Sequence, residues 1–240
     1  MINTILFDLD GTLLPIDPDT FMHHYFKVLS ERCAHLVDPK KLPKMILDST
    51  ELMVCSTDPD KTNQEVFMAD FSKKVEPVFQ ELLPVLDKFY EEEFQNLKFT
   101  SQPIEIVREI VNILKEKGYT LVVATNPLFP RLAILHRIQW TGLEVEDFSF
   151  ITDYENMHFC KPNLDFYNEI LQKINRSPAE CMMIGNDVQE DLIAANLGMK
   201  TFLIEDNIIN RENKEPAPDY RGSYRDLLDF VMYLPNLKQE

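Results

Sequence analysis

No CxxC pair occurs in the chain, and its four cysteines, Cys33, Cys55, Cys160 and Cys181, stand far apart. That scatter argues against a zinc site or a disulfide frame and fits reduced thiols in a cytoplasmic protein. Long apolar runs are missing too. Stretches such as LVVA at 121–124 fall well short of the roughly 20 residues a membrane helix needs. The opening MINTILFDLD has no basic stretch leading into a long apolar run, so it does not read as a signal peptide. Positive charge is scarce, with 24 Lys and Arg against 40 Asp and Glu and a net charge of −16. Such a surface repels nucleic-acid backbones and anionic lipid, and no Lys/Arg cluster is long enough to reverse that. No internal repeat or low-complexity tract appears. The expectation is a soluble cytoplasmic protein with neither nucleic acid nor membrane as partner. A small phosphorylated metabolite stays compatible, since a metal ion and one or two local cations neutralise a few charges in a pocket.

What is present points to an α/β fold. The apolar content of 45% suffices for a core. Residues 2–8, INTILFD, read as a buried parallel strand whose polar tip reaches a site. Four further runs follow: TLVVAT at 120–125, FSFIT at 148–152, CMMIG at 181–185 and KTFLI at 200–204. Helical patterns lie between them, at 104–118, 129–140, 164–174 and 190–197. The first keeps Ile104, Val107, Val111 and Leu114 on one face and stops at Gly118. Alternation of this kind predicts a doubly wound parallel sheet covered by helices on both faces, with ligands at the carboxyl ends of the strands. Residues 16–99 break the pattern. Helices at about 19–35, 40–56, 62–74 and 76–96 predict a helical bundle inserted after the first strand. The tail reads as a loop at 215–220 and a closing helix near 223–234.

Asp8-Leu9-Asp10-Gly11-Thr12 ends the first strand. Strand alternation puts Asp8 and Asp10 on one side. Two carboxylates this close repel unless a cation lies between them or one is protonated. Gly11 permits a sharp exit from the strand. Downstream, Thr125 ends VVAT, Lys161 precedes a helix in CKPNLDFY, and Gly185-Asn186-Asp187-Val188-Gln189-Glu190-Asp191 forms an acidic turn after CMMI. Taken singly, an acidic turn, a strand-end threonine or a loop lysine is commonly structural. His23-His24 fits a partly buried or surface pair better than a metal site. Met45, Met53 and Met68 read as filling in the bundle, and Glu91–Glu93 as a solvated helix face.

In this order the four segments resemble the motifs of the haloacid dehalogenase-like hydrolase superfamily, in its phosphatase branch with a helical cap between the first and second motifs. The resemblance spans essentially the whole chain. It implies a Rossmann-like catalytic core from 1–15 and 100–240, with 16–99 as cap and hinges near 14–18 and 98–102. It further implies magnesium-dependent hydrolysis of a small phosphorylated metabolite through an aspartyl-phosphate. Asp8 is then the nucleophile and Asp10 the general acid and base. Gly11, Thr12, Thr125, Asn126 and Lys161 would bind phosphate. Asp8, the Asp10 carbonyl and either Asn186 or Asp187 would hold Mg²⁺, with Asp191 orienting its waters. Family members commonly have Asp where this chain has Asn186. Dehalogenation is disfavoured, because it has no need of Asp10. A phosphomutase and a non-catalytic binding module are the alternative readings.

Overall fold

A computed structural model describes residues 1–238. Six strands form one parallel sheet in the order β3-β2-β1-β4-β5-β6. They are β1 Thr4–Phe7, β2 Thr120–Val123, β3 Phe150–Ile151, β4 Cys181–Gly185, β5 Lys200–Ile204 and β6 Tyr220–Gly222. β1 lies at the centre, with Phe7 level with Val123 on one side and Ile184 on the other. The chain leaves β1 in one direction to reach β2 and crosses to the other side for β4. Its carboxyl end is therefore the point where strand order reverses, and a crevice opens there.

Period-two alternation explains how both faces are covered. Ile5 and Phe7 pack into a cluster with Val107, Ile110 and Leu227, on α5 (Glu105–Glu116) and α8 (Tyr224–Tyr233). Leu6 packs on the opposite face, with Val122, Met183, Phe166, Tyr167 and Ile170; the last three lie on α7 (Leu164–Lys173). The remaining core helix, α6 (Arg131–Thr141), ends at Gly142, whose φ of +81° closes it. The doubly wound sheet thus agrees with the alternation in the sequence.

Between β1 and β2 stand α1 (Pro18–Cys33), α2 (Leu42–Val54), α3 (Asn63–Lys74) and α4 (Phe79–Lys88). Asp17 caps α1 through a 2.7 Å bond from the Thr20 amide, and Thr62 with Glu65 forms a capping box on α3. Phe21 and Tyr25 of α1 meet Phe94 and Phe129 edge-on, which packs α1 against the loop before α6. Met53 is buried, while Met45 and Met68 are partly buried against apolar clusters. His23 is exposed with its ring against His24, and Glu92 and Glu93 pair with Arg32. No helix among the described residues is long and apolar enough to cross a membrane.

Three elements differ from the expectation. The fourth helix is α4 only to Lys88; a π-helical turn at Phe89–Glu93 and a 3₁₀ segment at Phe94–Thr100 continue it. Pro84 inside α4 removes one backbone donor from that stretch. The segment after β4 is not an α-helix from 190 but a turn followed by a 3₁₀ helix at Leu192–Leu197. The 215–220 loop runs into β6, a short edge strand that the sequence conceals because two of its three residues are exposed.

Candidate active site

Four loops meet at the carboxyl end of β1. Asp8 follows directly after that strand, its amide bonded to the Ile184 carbonyl at 2.9 Å. The chain then folds back on itself. Leu9 O accepts from the Leu14 amide at 2.8 Å, and Gly11 N donates to Leu14 O at 2.8 Å. Gly11 has φ +85°, and a Cβ there would come within 2.8 Å of Asn186 Cγ. Only glycine permits both the conformation and the approach. Tyr224 Oη, donating toward the carbonyls of Gly11 and Thr12 at 2.9 Å each, supports this loop from below.

Lys161 lies at the heart of the site with 1% of its surface exposed. Its Nζ donates to Asp8 Oδ1 at 2.9 Å and to Asp191 Oδ1 at 2.6 Å. Burial opposes the ammonium's charge, but Asp191 and Asp8 outweigh it and hold Lys161 well above the usual lysine range. Burial also pushes the Asp8 carboxyl up to about 6, with Lys161 pulling the other way. The same balance leaves Asp191 at about 7. Asp191 reaches Lys161 only because Gly185 has no side chain, since a Cβ there would lie 2.6 Å from the Asp191 Cβ. Its other oxygen accepts from the Asp187 amide at 2.9 Å.

Thr125, buried after β2, accepts at its carbonyl from Thr152 Oγ1 at 2.6 Å. Asn126 is turned onto Lys161: it accepts from the Lys161 amide at 3.1 Å and donates to Glu190 Oε2 at 3.1 Å. Thr12 is equally engaged, its hydroxyl buried and donating to Asn186 Oδ1 at 3.0 Å. Two of the side chains expected on phosphate, Thr12 and Asn126, also bond across the loops. Both are short polar groups that find partners within the protein, which satisfies them where water is excluded.

The two candidates for the third metal ligand differ sharply. Asp187 spends Oδ1 on the amides of Gln189 and Glu190, at 3.0 Å each, and Oδ2 on an ion pair with Arg211 Nη1. Asn186 is 1% exposed, adjoins Gly11, and donates through Nδ2 to the Asn207 carbonyl at 2.7 Å. That bond fixes the amide orientation, and its Oδ1 keeps one lone pair beyond the Thr12 hydroxyl. No group of three or more His, Cys, Asp or Glu side chains arranged for a metal occurs among the described residues. The available donors are oxygens only: the Asp8 carboxylate, the Asp10 carbonyl and the Asn186 amide. Hard oxygen donors of this kind, leaving room for water, suit Mg²⁺.

Four contributors escape a reading of the sequence: Arg137, Asn207, Arg211 and Tyr224. Arg137 of α6 is 1% exposed, and its Nη1 pairs with Asp10 Oδ2. Its signal was a charge on the buried face that carries Ala133, Ile134 and Ile138. Asp10 itself lines a cavity of about 400 Å³ with Gly11, Asn186, Asn207 and the linker residues Pro15–Pro18 and Gln102.

A family model for haloacid dehalogenase-like hydrolases matches residues 2–198. The chain is 26% identical over 235 residues to the pyrophosphatase PpaX of Halalkalibacterium halodurans, covering 96% of this chain and 97% of that one. It is 24% identical over 221 residues to the glyceraldehyde 3-phosphate phosphatase of Methanothermobacter thermautotrophicus, covering 88% and 89%. Among solved structures, a HAD phosphatase from Thermococcus onnurineus superposes with a TM-score of 0.61 at 18% identity, over 98% of this chain and 100% of that one.

Proposed function

Because the chain belongs to the haloacid dehalogenase-like hydrolase family, we propose that it is a magnesium-dependent phosphohydrolase of small phosphorylated metabolites that passes through an aspartyl-phosphate on Asp8. The observation that carries this reading is the chain of ion pairs Asp8–Lys161–Asp191, centred on buried Lys161 at the carboxyl end of the central strand. A nucleophilic carboxylate must stay aligned while a phosphate dianion approaches, and the Lys161 ammonium supplies both alignment and positive charge.

In the proposed reaction Asp8 attacks phosphorus in line with the departing oxygen, forming an acyl phosphate. Asp10 gives its proton to that oxygen as the P–O bond breaks. It then takes a proton from a water, which attacks phosphorus and releases inorganic phosphate, restoring Asp8. Thr125 and Lys161 hold the phosphoryl oxygens as charge spreads over them. Held by Asp8, the Asp10 carbonyl and Asn186, magnesium would offset the repulsion between the Asp8 carboxylate and the phosphate. Asp187, committed to Arg211 and two amides, would shape the turn instead.

The helices α1–α4 would form the cap, 16–99, over a core of 1–15 and 100–240. Two linkers join them and run side by side: Ile16 bridges Ser101, and Gln102 N donates to Pro15 O at 2.8 Å. Because these linkers line the cavity beside Asp10, a hinge motion there would admit substrate and shut water out. The names of the relatives put both a phosphoanhydride and a phosphomonoester within range. The test is phosphate release with Mg²⁺ over pyrophosphate, sugar phosphates, nucleotides and p-nitrophenyl phosphate. Asp8→Asn is expected to lose at least about 10⁴-fold in kcat, the scale seen when a nucleophile is removed. An Asp8→Asn enzyme that keeps most of its activity sinks the reading.

A further inference from the structure

Arg137 reaches Asp10 across 127 positions of sequence, yet it lies outside the four motifs. Its guanidinium carbon stands 4.6 Å above the Phe129 ring and 5.7 Å from the Phe21 ring centre, and its Nε donates to the Ala133 carbonyl one turn back at 3.4 Å. The planar group is thus held on its flat side by aromatic rings and along its edge by a helix carbonyl. Of its two terminal nitrogens, Nη1 grips Asp10 Oδ2.

A stabilising role does not explain this arrangement. Taking an arginine out of water is costly, and apolar residues of similar volume often do as well or better. Moreover, Arg137 Nη2 and Asp10 Oδ1 are both buried without a partner. Asp10 meanwhile has two faces: it lines the open cavity on one side and meets buried Arg137 on the other. With only two side-chain torsions, a carboxylate on a loop swings freely unless something fixes it.

We propose that Arg137 is a positioning residue that clamps the Asp10 carboxylate in the orientation needed for proton transfer with the leaving oxygen and then with water. The clamp rests on the phosphohydrolase reading above. Phe129 and Phe21 act through Arg137, by holding the guanidinium plane. Phe21 belongs to α1, so the aromatic seat is completed only when that helix lies against the loop before α6. Proton transfer to the leaving group depends on geometry within tenths of an ångström, so a loosened Asp10 damages poor leaving groups far more than good ones.

The test compares kcat/KM for an alkyl phosphate monoester and for p-nitrophenyl phosphate, whose leaving group needs little protonation. Arg137→Ala is expected to lose about 10²-fold on the alkyl substrate, the lower range of general acid catalysis, and less than about tenfold on p-nitrophenyl phosphate. The loss should fall in kcat rather than KM, and added guanidinium ion should restore part of the alkyl activity. Equal losses on both substrates, with no guanidinium response, overturn the clamp. Arg137→Met, which fills the same space, guards against a folding defect. Its crystal structure should place the Asp10 side chain in a different or mixed torsional state, and an unmoved Asp10 overturns the clamp whatever the turnover. Failure of the phosphohydrolase reading shows separately, as a wild-type protein that hydrolyses neither substrate.

Discussion

Lys161 Nζ lies 2.6 Å from Asp191 Oδ1, closer than the 2.9 Å that separates it from Asp8. Asp191 therefore decides where the ammonium stands, and Asp8 receives what Asp191 positions. Replacing Asp191 with Asn keeps the shape and removes the charge that anchors Lys161. A loss of about 10–100-fold in kcat/KM is expected, the range for groups that orient a ligand rather than touch substrate. Phosphate-release kinetics on Asp191→Asn, with circular dichroism to confirm folding, check this. Unchanged kinetics would mean that Asp8 alone positions the lysine.

Gly185 and Gly198 separate two reasons for a glycine. Gly185 has no positive φ but leaves no room, since an added Cβ would crowd Asp191. Gly198 has φ +92° and nothing within 4 Å of where its Cβ would be. Gly198→Ala is expected to cost about 1 kcal/mol from backbone strain, with activity nearly intact. Gly185→Ala is expected to cost about 1–3 kcal/mol through crowding and to reduce turnover as well, because Asp191 must move. Denaturant unfolding and turnover, measured on both variants, distinguish these outcomes. Equal effects on turnover would refute the distinction.

Asn186 and Asp187 carry opposite expectations for the metal. Asn186→Ala removes an uncharged oxygen donor beside Gly11, and the Mg²⁺ concentration for half-maximal activity is expected to rise at least about tenfold. Asp187→Ala removes two turn hydrogen bonds and the Arg211 pair, so it is expected to lower stability by about 1–2 kcal/mol. Its Mg²⁺ requirement should change little. Magnesium titrations of both variants, by activity and by calorimetry, decide between them. A larger metal defect in Asp187→Ala would reverse the assignment.

These variants also mark how much of the molecule is legible in its sequence. The strands are, because β1, β4 and most of β5 are buried on both faces and therefore read as short apolar runs. β6 is not: two of its three residues are exposed, so it carries no apolar run. Asp8, Lys161 and Asp191 are brought together by the sheet, since each follows a strand or loop at its carboxyl end. The loop-to-loop bonds of Thr12 and Asn126 are not legible, because a polar side chain there reads alike whether or not it also bonds another loop. Arg137 and Arg211 were hidden for a different reason. They reach their carboxylates from α6 and from the loop before β6, across distances in sequence that only the fold sets.

Glu155 offers a test of electrostatics away from the chemistry. It stands beside Asp153 at the start of the loop after β3, where burial pushes its carboxyl up to about 7, with Asp153 adding to the rise. The Arg131 amide, donating to Oε2 at 2.8 Å, opposes it. A raised carboxyl favours the protonated folded state. Its contribution to stability is complete below the unfolded value of 4.5 and is lost as pH rises through about 7. Glu155→Gln retains an oxygen to accept the Arg131 amide and has no proton to lose. The Tm of the variant relative to wild type is therefore expected to climb by about 2–4 °C between about pH 5 and about pH 8, equivalent to about 1 kcal/mol. Thermal melts across that range check it. A Tm difference that stays flat with pH would show that Glu155 ionises in the folded chain as freely as in the unfolded one.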